Sequence, residues 1–333
     1  MRRTAYLLAM IAVAVTQFGS GEAYGVPVVP GFDVNVYATV PDPLRIDFAP
    51  DGTLYAGRDN FGSGGSGKDA VKIHRIGPGG SPVSEFGNGA IGDPDAVAVD
   101  VDGTISGTPG AVLVGGTQTA GDGEIAAILP NGTLVPIFQS AAFPNPSNFK
   151  FDSSGRMIFT DFDLGNVWET TGGAPTVLFS VPGEPLNIAI HPDGRIFTSN
   201  TDGNIYVHAT DGTLLDGSFA SGLGRFVSLA FGPGGAFGTD LYVLSRGKLF
   251  RYDNLGSATQ IGSGFPFLAF DAMFGPDGAL YVSDFPGDRI WRISAQSATG
   301  PLPEPSSFVL AGLATILLSG ACWRRRRTSR TAR

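Results

Sequence analysis

A phrase made of alternating apolar residues, a tight turn and a second β-rich run recurs six times, and this repetition constrains the fold more than any other feature. It reads IDFAPDGTLYA from Ile46 and IAIHPDGRIF from Ile188. The turn glycines are Gly52, Gly103, Gly155, Gly194, Gly235 and Gly278, spaced 39 to 52 residues apart. A period in the forties with several strands per unit is typical of propeller blades. The sequence therefore predicts an all-β, six-bladed β-propeller.

Composition favours the same fold. Glycine accounts for 49 of 333 residues and only 16% of residues are charged. No long stretch shows the i, i+3, i+4 apolar spacing of an amphipathic helix. Asp-Gly and Asn-Gly pairs supply the positive φ angles of tight hairpins. These features predict many short strands joined by tight turns.

Closure of the ring is predicted at the two ends of the domain. The last repeat supplies only three strands, ending near Ser294, whereas residues 32–40, FDVNVYATV, alternate as a strand should. We expect residues 31–295 to form the propeller, with residues 31–40 completing its last blade. Joining the first and last strands would offset the entropy cost of closing the ring.

Residues 1–25 have the three parts of a secretory signal peptide. Arg2 and Arg3 give a positive start, an apolar run extends from Leu7 to Val15, and Ala23-Tyr24-Gly25 is a small-x-small cleavage site. The run is far shorter than the roughly 20 residues needed to span a bilayer. The sequence predicts a removable signal helix and export through the inner membrane.

The C-terminus carries a second targeting pattern. Residues 296–305 are a linker with a Pro-Glu-Pro motif, and residues 306–333 are a short transmembrane helix with an arginine-rich tail that stays cytoplasmic. The motif residues are Pro303, Glu304, Pro305, Arg324, Arg325, Arg326 and Arg327.

This order resembles the PEP-CTERM sorting signal of Gram-negative-type bacteria. The resemblance implies a membrane protease of the exosortase type that cuts near the Pro-Glu-Pro motif. It also implies that the mature protein is at the cell surface or extracellular, often alongside exopolysaccharide production. The alternative is a permanent single-span tail anchor.

Charge and cysteine content exclude several classes of site. The net charge is −8, and removal of both arginine-bearing ends makes the mature chain more acidic. Such a surface disfavours nucleic acid and anionic membrane, and is compatible with cations or neutral sugars. The sole cysteine, Cys322, lies in the tail, so the propeller has no disulfide or thiolate metal site. We expect a monomer.

Two stretches resemble known propellers. Leu280 to Ser294, LYVSDFPGDRIWRIS, resembles an NHL-type repeat. The opening stretch, FDVNVYATVPDPLRIDFAPDGTLYAGRD, resembles the first blade of soluble sugar-dehydrogenase-like and sorbosone-dehydrogenase-like propellers. Such propellers include binding proteins, lactonases and quinone enzymes, so the fold alone does not settle function.

The predicted blades place candidate ligands at one end of the channel. The short Asp-Gly turns lie on one face of the propeller, the turn face, and the longer connections lie on the opposite loop face, where function is expected. Converging oxygen ligands there would suit Ca²⁺ or another divalent cation. The predicted metal ligands are Asp95, Asn148, Asn187 and Asp271. The alternative is that these residues cap turns through backbone hydrogen bonds.

The regucalcin and gluconolactonase family is similar in architecture and allows a closer comparison. The resemblance implies a metal held by a Glu of the first blade and by Asn or Asp residues that follow Pro and precede Gly. Here Pro94-Asp95 is followed by Ala96, the amides of Asn148 and Asn187 come one residue late, and Leu44-Arg45 stands where the Glu is expected. A one-residue shift turns a side chain to the other side of a strand. These departures weaken the lactonase interpretation.

A quinone-dependent sugar dehydrogenase would need a histidine base in the channel. His74 and His208 are predicted on outer strands and His191 in a turn, and we expect all three at the surface. Only Arg45 is well placed for such a cofactor.

The leading hypothesis is therefore a non-catalytic, exported propeller. It would bind an extracellular polysaccharide or protein partner through its loop face. The alternatives are a metal-dependent gluconolactonase-like hydrolase and, behind it, a quinone-dependent sugar dehydrogenase.

Overall fold

The computed structural model describes residues 25–58, 70–117 and 121–296. These residues form 24 β-strands in six four-stranded antiparallel sheets. The innermost strands of neighbouring sheets contact one another in a closed ring. The prediction of an all-β, six-bladed propeller is confirmed.

The first strand in the chain, Phe32–Thr39 (β1), belongs to the last blade. Blade 1 comprises Pro43–Phe48 (β2), Leu54–Arg58 (β3), Ala70–Ile76 (β4) and Val83–Gly92 (β5). Blade 2 comprises Ala96–Asp100 (β6), Ala111–Thr117 (β7), Gly123–Ile128 (β8) and Leu134–Ser140 (β9). Blade 3 comprises Pro146–Phe151 (β10), Met157–Asp161 (β11), Asn166–Thr170 (β12) and Thr176–Ser180 (β13).

Blade 4 comprises Pro185–Ile190 (β14), Ile196–Asn200 (β15), Ile205–His208 (β16) and Leu214–Ala220 (β17). Blade 5 comprises Ser228–Phe231 (β18), Leu241–Ser245 (β19), Lys248–Tyr252 (β20) and Ala258–Ser263 (β21). Blade 6 comprises Ala269–Phe274 (β22), Leu280–Asp284 (β23) and Arg289–Ala295 (β24), and β1 is its outermost strand.

The repeated turn has a simple local cause, seen between β2 and β3. The carboxylate of Asp51 accepts a 2.8 Å hydrogen bond from the backbone N–H of Thr53. Gly52 between them has a φ of +84°, a conformation that costs glycine little. The Asp-Gly sequence therefore reverses the chain within the length of one hairpin turn.

The hydrophobic core lies between neighbouring blades. At the junction of blades 1 and 6, one cluster packs Ile46 and Leu54 of blade 1 against Tyr281 and Ile290 of blade 6. Burying each large apolar side chain contributes about 1.5–3 kcal/mol relative to leaving it exposed. Packing across this junction therefore helps to hold the ring closed.

Strand β1 pairs antiparallel with β24 and closes the ring. The register runs from Phe32 opposite Ala295 to Thr39 opposite Arg289, with a bulge between Val36 and Ala38. The first strand of the described chain is thus hydrogen-bonded to the last.

The targeting segments fall largely outside the described residues. Residues 1–24 and 297–333 are not described, and with them nearly all of the predicted signal peptide, the linker with Pro303, Glu304 and Pro305, and the helix with its arginines. Among the residues that are described, no helix has the length and apolar character needed to cross a membrane.

Candidate functional site

The innermost strands β2, β6, β10, β14, β18 and β22 surround the central channel. Four of them, β2, β10, β14 and β22, begin with a shift in register against the second strand of their blade. Such bulges insert an extra residue and re-aim the side chains beside it. The channel mouth on the loop face is built from these irregular strand starts.

Arg45, in the bulged start of β2, spans the channel mouth. Its guanidinium donates hydrogen bonds to three backbone carbonyls: Nε to Ser147 at 3.1 Å, Nη2 to Leu186 at 2.5 Å, and Nη1 to Phe270. These carbonyls belong to blades 3, 4 and 6. A single buried side chain of blade 1 thereby connects to blades on the far side of the ring.

The carboxylate of Asp271 is the charged partner of Arg45. The two side chains are both buried, with Arg45 Nη1 3.8 Å from Asp271 Oδ1. Burial lowers the pKa of Arg45, and the charges of Asp271 and Asp95 oppose that effect. An arginine guanidinium is not deprotonated in proteins, so Arg45 keeps its positive charge at neutral pH.

Asp271 also organises the neighbouring strands. Its Oδ2 accepts the backbone N–H of Ile46 at 3.1 Å, and its Oδ1 accepts Nδ2 of Asn187 at 3.2 Å. Oδ1 of Asn187 in turn accepts the N–H of Leu229 at 3.3 Å. This circuit joins blades 1, 4, 5 and 6, so Asn187 and Asp271 do meet in the channel.

The bulge in β14 explains how Asn187 reaches the channel although its position is one residue late. The register shifts between Pro185 and Asn187, which adds one residue and turns the amide back towards the axis. Sequence alternation alone cannot detect such a shift.

The other two predicted ligands have different surroundings. Asn148 is fully buried, and its Oδ1 has no hydrogen-bond partner among the described residues. Asp95 lies in the connection before β6, close enough to Arg45 for its charge to raise the arginine pKa. Asp95 and Asp271 thus share one resident cation, the guanidinium.

The residues at the channel mouth do not fit a divalent metal. The described part of the chain contains no group of three or more His, Cys, Asp or Glu side chains arranged to hold a metal ion. A divalent ion bound to Asp271 would also lie beside the Arg45 guanidinium and be repelled by it. Arg45 supplies this positive charge at the position where the resemblance described above implied a metal-binding Glu.

Asp161 is a second buried acid, at the loop-face end of β11. Its Oδ1 accepts the N–H of Asn145 at 3.1 Å and that of Asp163 at 3.4 Å. Its Oδ2 has no hydrogen-bond partner in the described structure. Burial raises the pKa of Asp161 to about 7. The equivalent Asp284 of blade 6 instead pairs with Arg289 at 3.2 Å.

Two of the histidines differ from the expectation. His74 and His208 are buried rather than at the surface. They lie on the third strands of blades 1 and 4. His208 stacks on Phe179, with ring centroids 3.7 Å apart, and burial lowers its pKa to about 4. Neither histidine lies on a strand that lines the channel.

A cluster of phenylalanines beside the channel was not predicted. Phe226, Phe270 and Phe285, which we call the phenylalanine patch, are half-buried on the loop face, and Phe270 packs edge-on against Phe226 at 5.0 Å and Phe285 at 5.5 Å. Arg225 lies over the ring of Phe226 at 5.5 Å.

The backbone of Phe226 is unusual, because its φ is +61°. Positive φ in a bulky residue costs energy and tends to persist at functional positions. The Arg225-Phe226 pair before β18 is visible in the sequence. It could not be recognised as part of a patch, because Phe270 and Phe285 come from another blade.

Comparison with solved structures shows the fold. A gluconolactonase from Xanthomonas campestris has a TM-score of 0.59 at 15% identity, over 83% of this chain and 98% of its own. An oxidoreductase of Thermus thermophilus described as a glucose dehydrogenase has a TM-score of 0.59 at 17% identity, over 79% and 100%.

A virginiamycin B lyase from Staphylococcus aureus has a TM-score of 0.53 at 16% identity, over 79% and 99%. No family model and no curated protein matches the chain. At these identities the similarity establishes a shared propeller architecture, and function has to be argued from the site.

Proposed function

We propose that this chain is an exported, non-catalytic propeller that binds an extracellular polysaccharide or protein partner through its loop face. The observation that carries the proposal is Arg45. Its guanidinium, held by three carbonyls and Asp271, fills the channel mouth where a metal-dependent hydrolase of this architecture would hold its ion.

The Arg45 network and the positions of the histidines argue against the two enzymatic alternatives. A lactonase of the gluconolactonase type would need an accessible Lewis acid, whereas the cation here is a buried side chain whose three nitrogens each donate to a backbone carbonyl. A sugar dehydrogenase would need a base in the channel, and the buried histidines of the described chain lie on third strands instead.

The phenylalanine patch supports a binding role. Aromatic residues and arginine are enriched at the centres of protein interfaces, where they supply large contact areas. Phe226 and Phe285 are partly exposed on either side of Phe270, and Arg225 adds a cation at the edge. The patch therefore supplies contacts on the face opposite the short turns.

Export and surface sorting complete the proposal. They are supported by the signal-peptide pattern of residues 1–25 and by the order of Pro303-Glu304-Pro305, apolar helix and arginine cluster. Mass spectrometry of the native protein tests this: we expect a C-terminus near Pro303. Recovery of peptides from Phe308 to Arg333 would show a retained anchor.

The enzymatic alternative is tested with purified protein and a panel of lactones in the presence of Ca²⁺, Mn²⁺ or Zn²⁺. We expect no metal-dependent turnover and no stoichiometric metal in the protein. Turnover that requires metal and disappears in the Asp95→Ala variant would overturn the proposal.

The binding role is tested in the native cells by measuring the fraction of protein that sediments with the extracellular matrix. The Phe226→Ser variant, with its thermal unfolding checked, should lose retention. The control is Leu255→Ser, because Leu255 is 91% exposed and lies on the turn face between β20 and β21. Equal retention of both variants would contradict binding through the loop face.

A further inference from the structure

A cleft lies on the turn face at the junction of blades 6 and 1, away from the channel mouth. It has a volume of about 520 Å³ and is lined by residues that include Asn35, Val36, Tyr37, Phe48, Asp277 and Arg292. Small-molecule sites of proteins commonly have volumes of about 300–1,000 Å³ and are mainly apolar with a few polar groups. The cleft has that size and that mixture.

Three aromatic rings form the apolar wall. Tyr281 packs edge-on against Tyr37, with centroids 4.9 Å apart, and against Phe48 at 4.7 Å. Tyr37 and Phe48 are half-buried, so each keeps part of its ring open to the cleft. The three rings therefore pack against one another and form a partly accessible wall.

The polar side of the cleft is a compact network. Oδ2 of Asp277 accepts hydrogen bonds from Nη2 of Arg292 at 2.8 Å, from Nε of Arg292 at 3.0 Å and from the Tyr281 hydroxyl at 3.0 Å. The ion pair is neutral as a unit. The guanidinium has five N–H donors. Nε and Nη2 donate to Asp277 and Nη1 donates to Ser294, so donors on the two Nη atoms remain for a ligand.

The third side of the cleft is fixed by a glycine-containing turn. The short 3₁₀ turn Pro78–Gly80 packs so closely against β1 that a Cβ on Gly80 would overlap the carbonyl oxygen of Tyr37. Hydrogen bonds with the backbone of Gly80 and Gly79 reach the Tyr37 hydroxyl and oppose the rise of its pKa on burial. These contacts hold the Tyr37 ring in position before any ligand arrives.

The geometry points to this cleft as a binding site for a neutral saccharide. A sugar ring carries C–H groups on its faces, which fit aromatic rings, and hydroxyls around its rim, which both donate and accept hydrogen bonds. Arg292 supplies donors, Asn35 supplies both donors and acceptors, and no net charge is left in the site. Anionic ligands are disfavoured by the net charge of −8 on the chain.

The site is separate from the loop-face binding proposed above, so each can fail alone. The experiment titrates the purified propeller with a panel of neutral oligosaccharides of gluco, galacto and manno configuration, followed by calorimetry or ligand-observed NMR. Charged oligosaccharides and a proline-rich peptide are included, because an aromatic groove can also take a polyproline helix.

Val36→Asp is the test variant and Val177→Asp its matched control. Both valines lie on outermost strands, in β1 and β13, and their exposed fractions are 46% and 47%. Only Val36 lines the cleft. Both variants should fold as the unmodified protein does, because neither valine is buried.

We expect saturable binding of at least one neutral oligosaccharide, weakened at least about tenfold by Val36→Asp and unchanged by Val177→Asp, a difference of about 1.4 kcal/mol. Absence of binding across the neutral panel would overturn the inference. So would equal effects of the two variants, or tighter binding of an anionic oligosaccharide or of the peptide.

Discussion

Nη1 of Arg45 lies 3.8 Å from Oδ1 of Asp271, and this pair connects the first and sixth blades at the channel mouth. Both side chains are buried, so the pair is shielded from water and from salt. The same guanidinium reaches carbonyls of blades 3 and 4. One arginine of blade 1 thus supplies a structural cation that contacts three other blades.

Replacing Arg45 with Met should strongly destabilise the propeller. The variant leaves the Asp271 carboxylate buried without a cation and removes the donors to the Ser147 and Leu186 carbonyls. Removing one partner of a buried pair costs about 3–5 kcal/mol. Urea unfolding at neutral pH measures the free energy of unfolding.

Arg251→Met is the control, because Arg251 pairs with Asp240 at 3.4 Å in an exposed position, where the cost should be below about 1 kcal/mol. In the double variant Arg45→Met/Asp271→Asn, the loss should be smaller than the sum of the two single losses. Additive losses would contradict direct coupling of the pair.

Asp161 should make the protein less stable as the pH rises from about 4 to 7. Burial raises the pKa of Asp161 from its ordinary 3.8 to about 7, so in this window the unfolded chain loses a proton that the folded chain keeps. The penalty is fully present above pH 7 and is on the order of 4 kcal/mol at most. Below pH 3.8 both states are protonated and the penalty vanishes.

The Asp161→Asn variant should therefore be more stable than the unmodified protein at pH 8 and similar to it at pH 4. Thermal unfolding across this range measures the difference. Asp211→Asn serves as control, because hydrogen bonds from Thr213 lower the pKa of Asp211 and move its titration below the window. A constant difference between Asp161→Asn and the unmodified protein from pH 4 to 8 would rule out the titration of Asp161.

Gly80→Ala should cost more stability than Gly79→Ala, although both glycines have positive φ, at +90° and +78°. A Cβ at Gly79 meets open space, so this variant carries only the backbone strain of about 1–2 kcal/mol. At Gly80 the Cβ also overlaps the Tyr37 carbonyl, which adds about 1–3 kcal/mol. Denaturant midpoints compare the two variants, and equal midpoints would show that β1 moves aside freely.

A chain that begins at residue 41 should be much less stable than one that begins at residue 25. Without β1, the outer edge of β24 is unpaired, and the buried side chains of Trp291 and Ile293 become more exposed to solvent. A peptide of residues 25–40 added in trans should restore cooperative unfolding. The same peptide carrying Ala38→Asp should not, because Ala38 is buried in the junction between blades 6 and 1.

The repeat was sufficient to predict the fold because the residues of each turn determine the conformation of that turn locally. Gly52, Gly103, Gly155, Gly194 and Gly278 all adopt positive φ, as expected for the turn of each hairpin. The alternation of residues 32–40 likewise indicated a strand without a local partner, and β1 pairs with β24. Features of this kind are encoded over about ten residues and can be found by inspection.

The channel mouth could be predicted only in outline. Asn187 and Asp271 meet as expected, but the bulge that turns Asn187 inward depends on pairing with β15, which alternation does not reveal. The route of the Arg45 side chain depends on carbonyls from three other blades. Burial of His208 depends on the ring of Phe179, which lies on the outermost strand of the neighbouring blade, 29 residues earlier in the chain.

Pairing of the first strand with the last has a consequence for biosynthesis. At about 5–20 residues per second, roughly 15 to 50 seconds separate the emergence of Phe32 from that of Ala295 on the ribosome. Throughout that interval β1 has no partner, so the ring stays open and the nascent chain can still be threaded through a translocation channel. The propeller can therefore complete its fold only in the compartment where β1 and the last blade are both present.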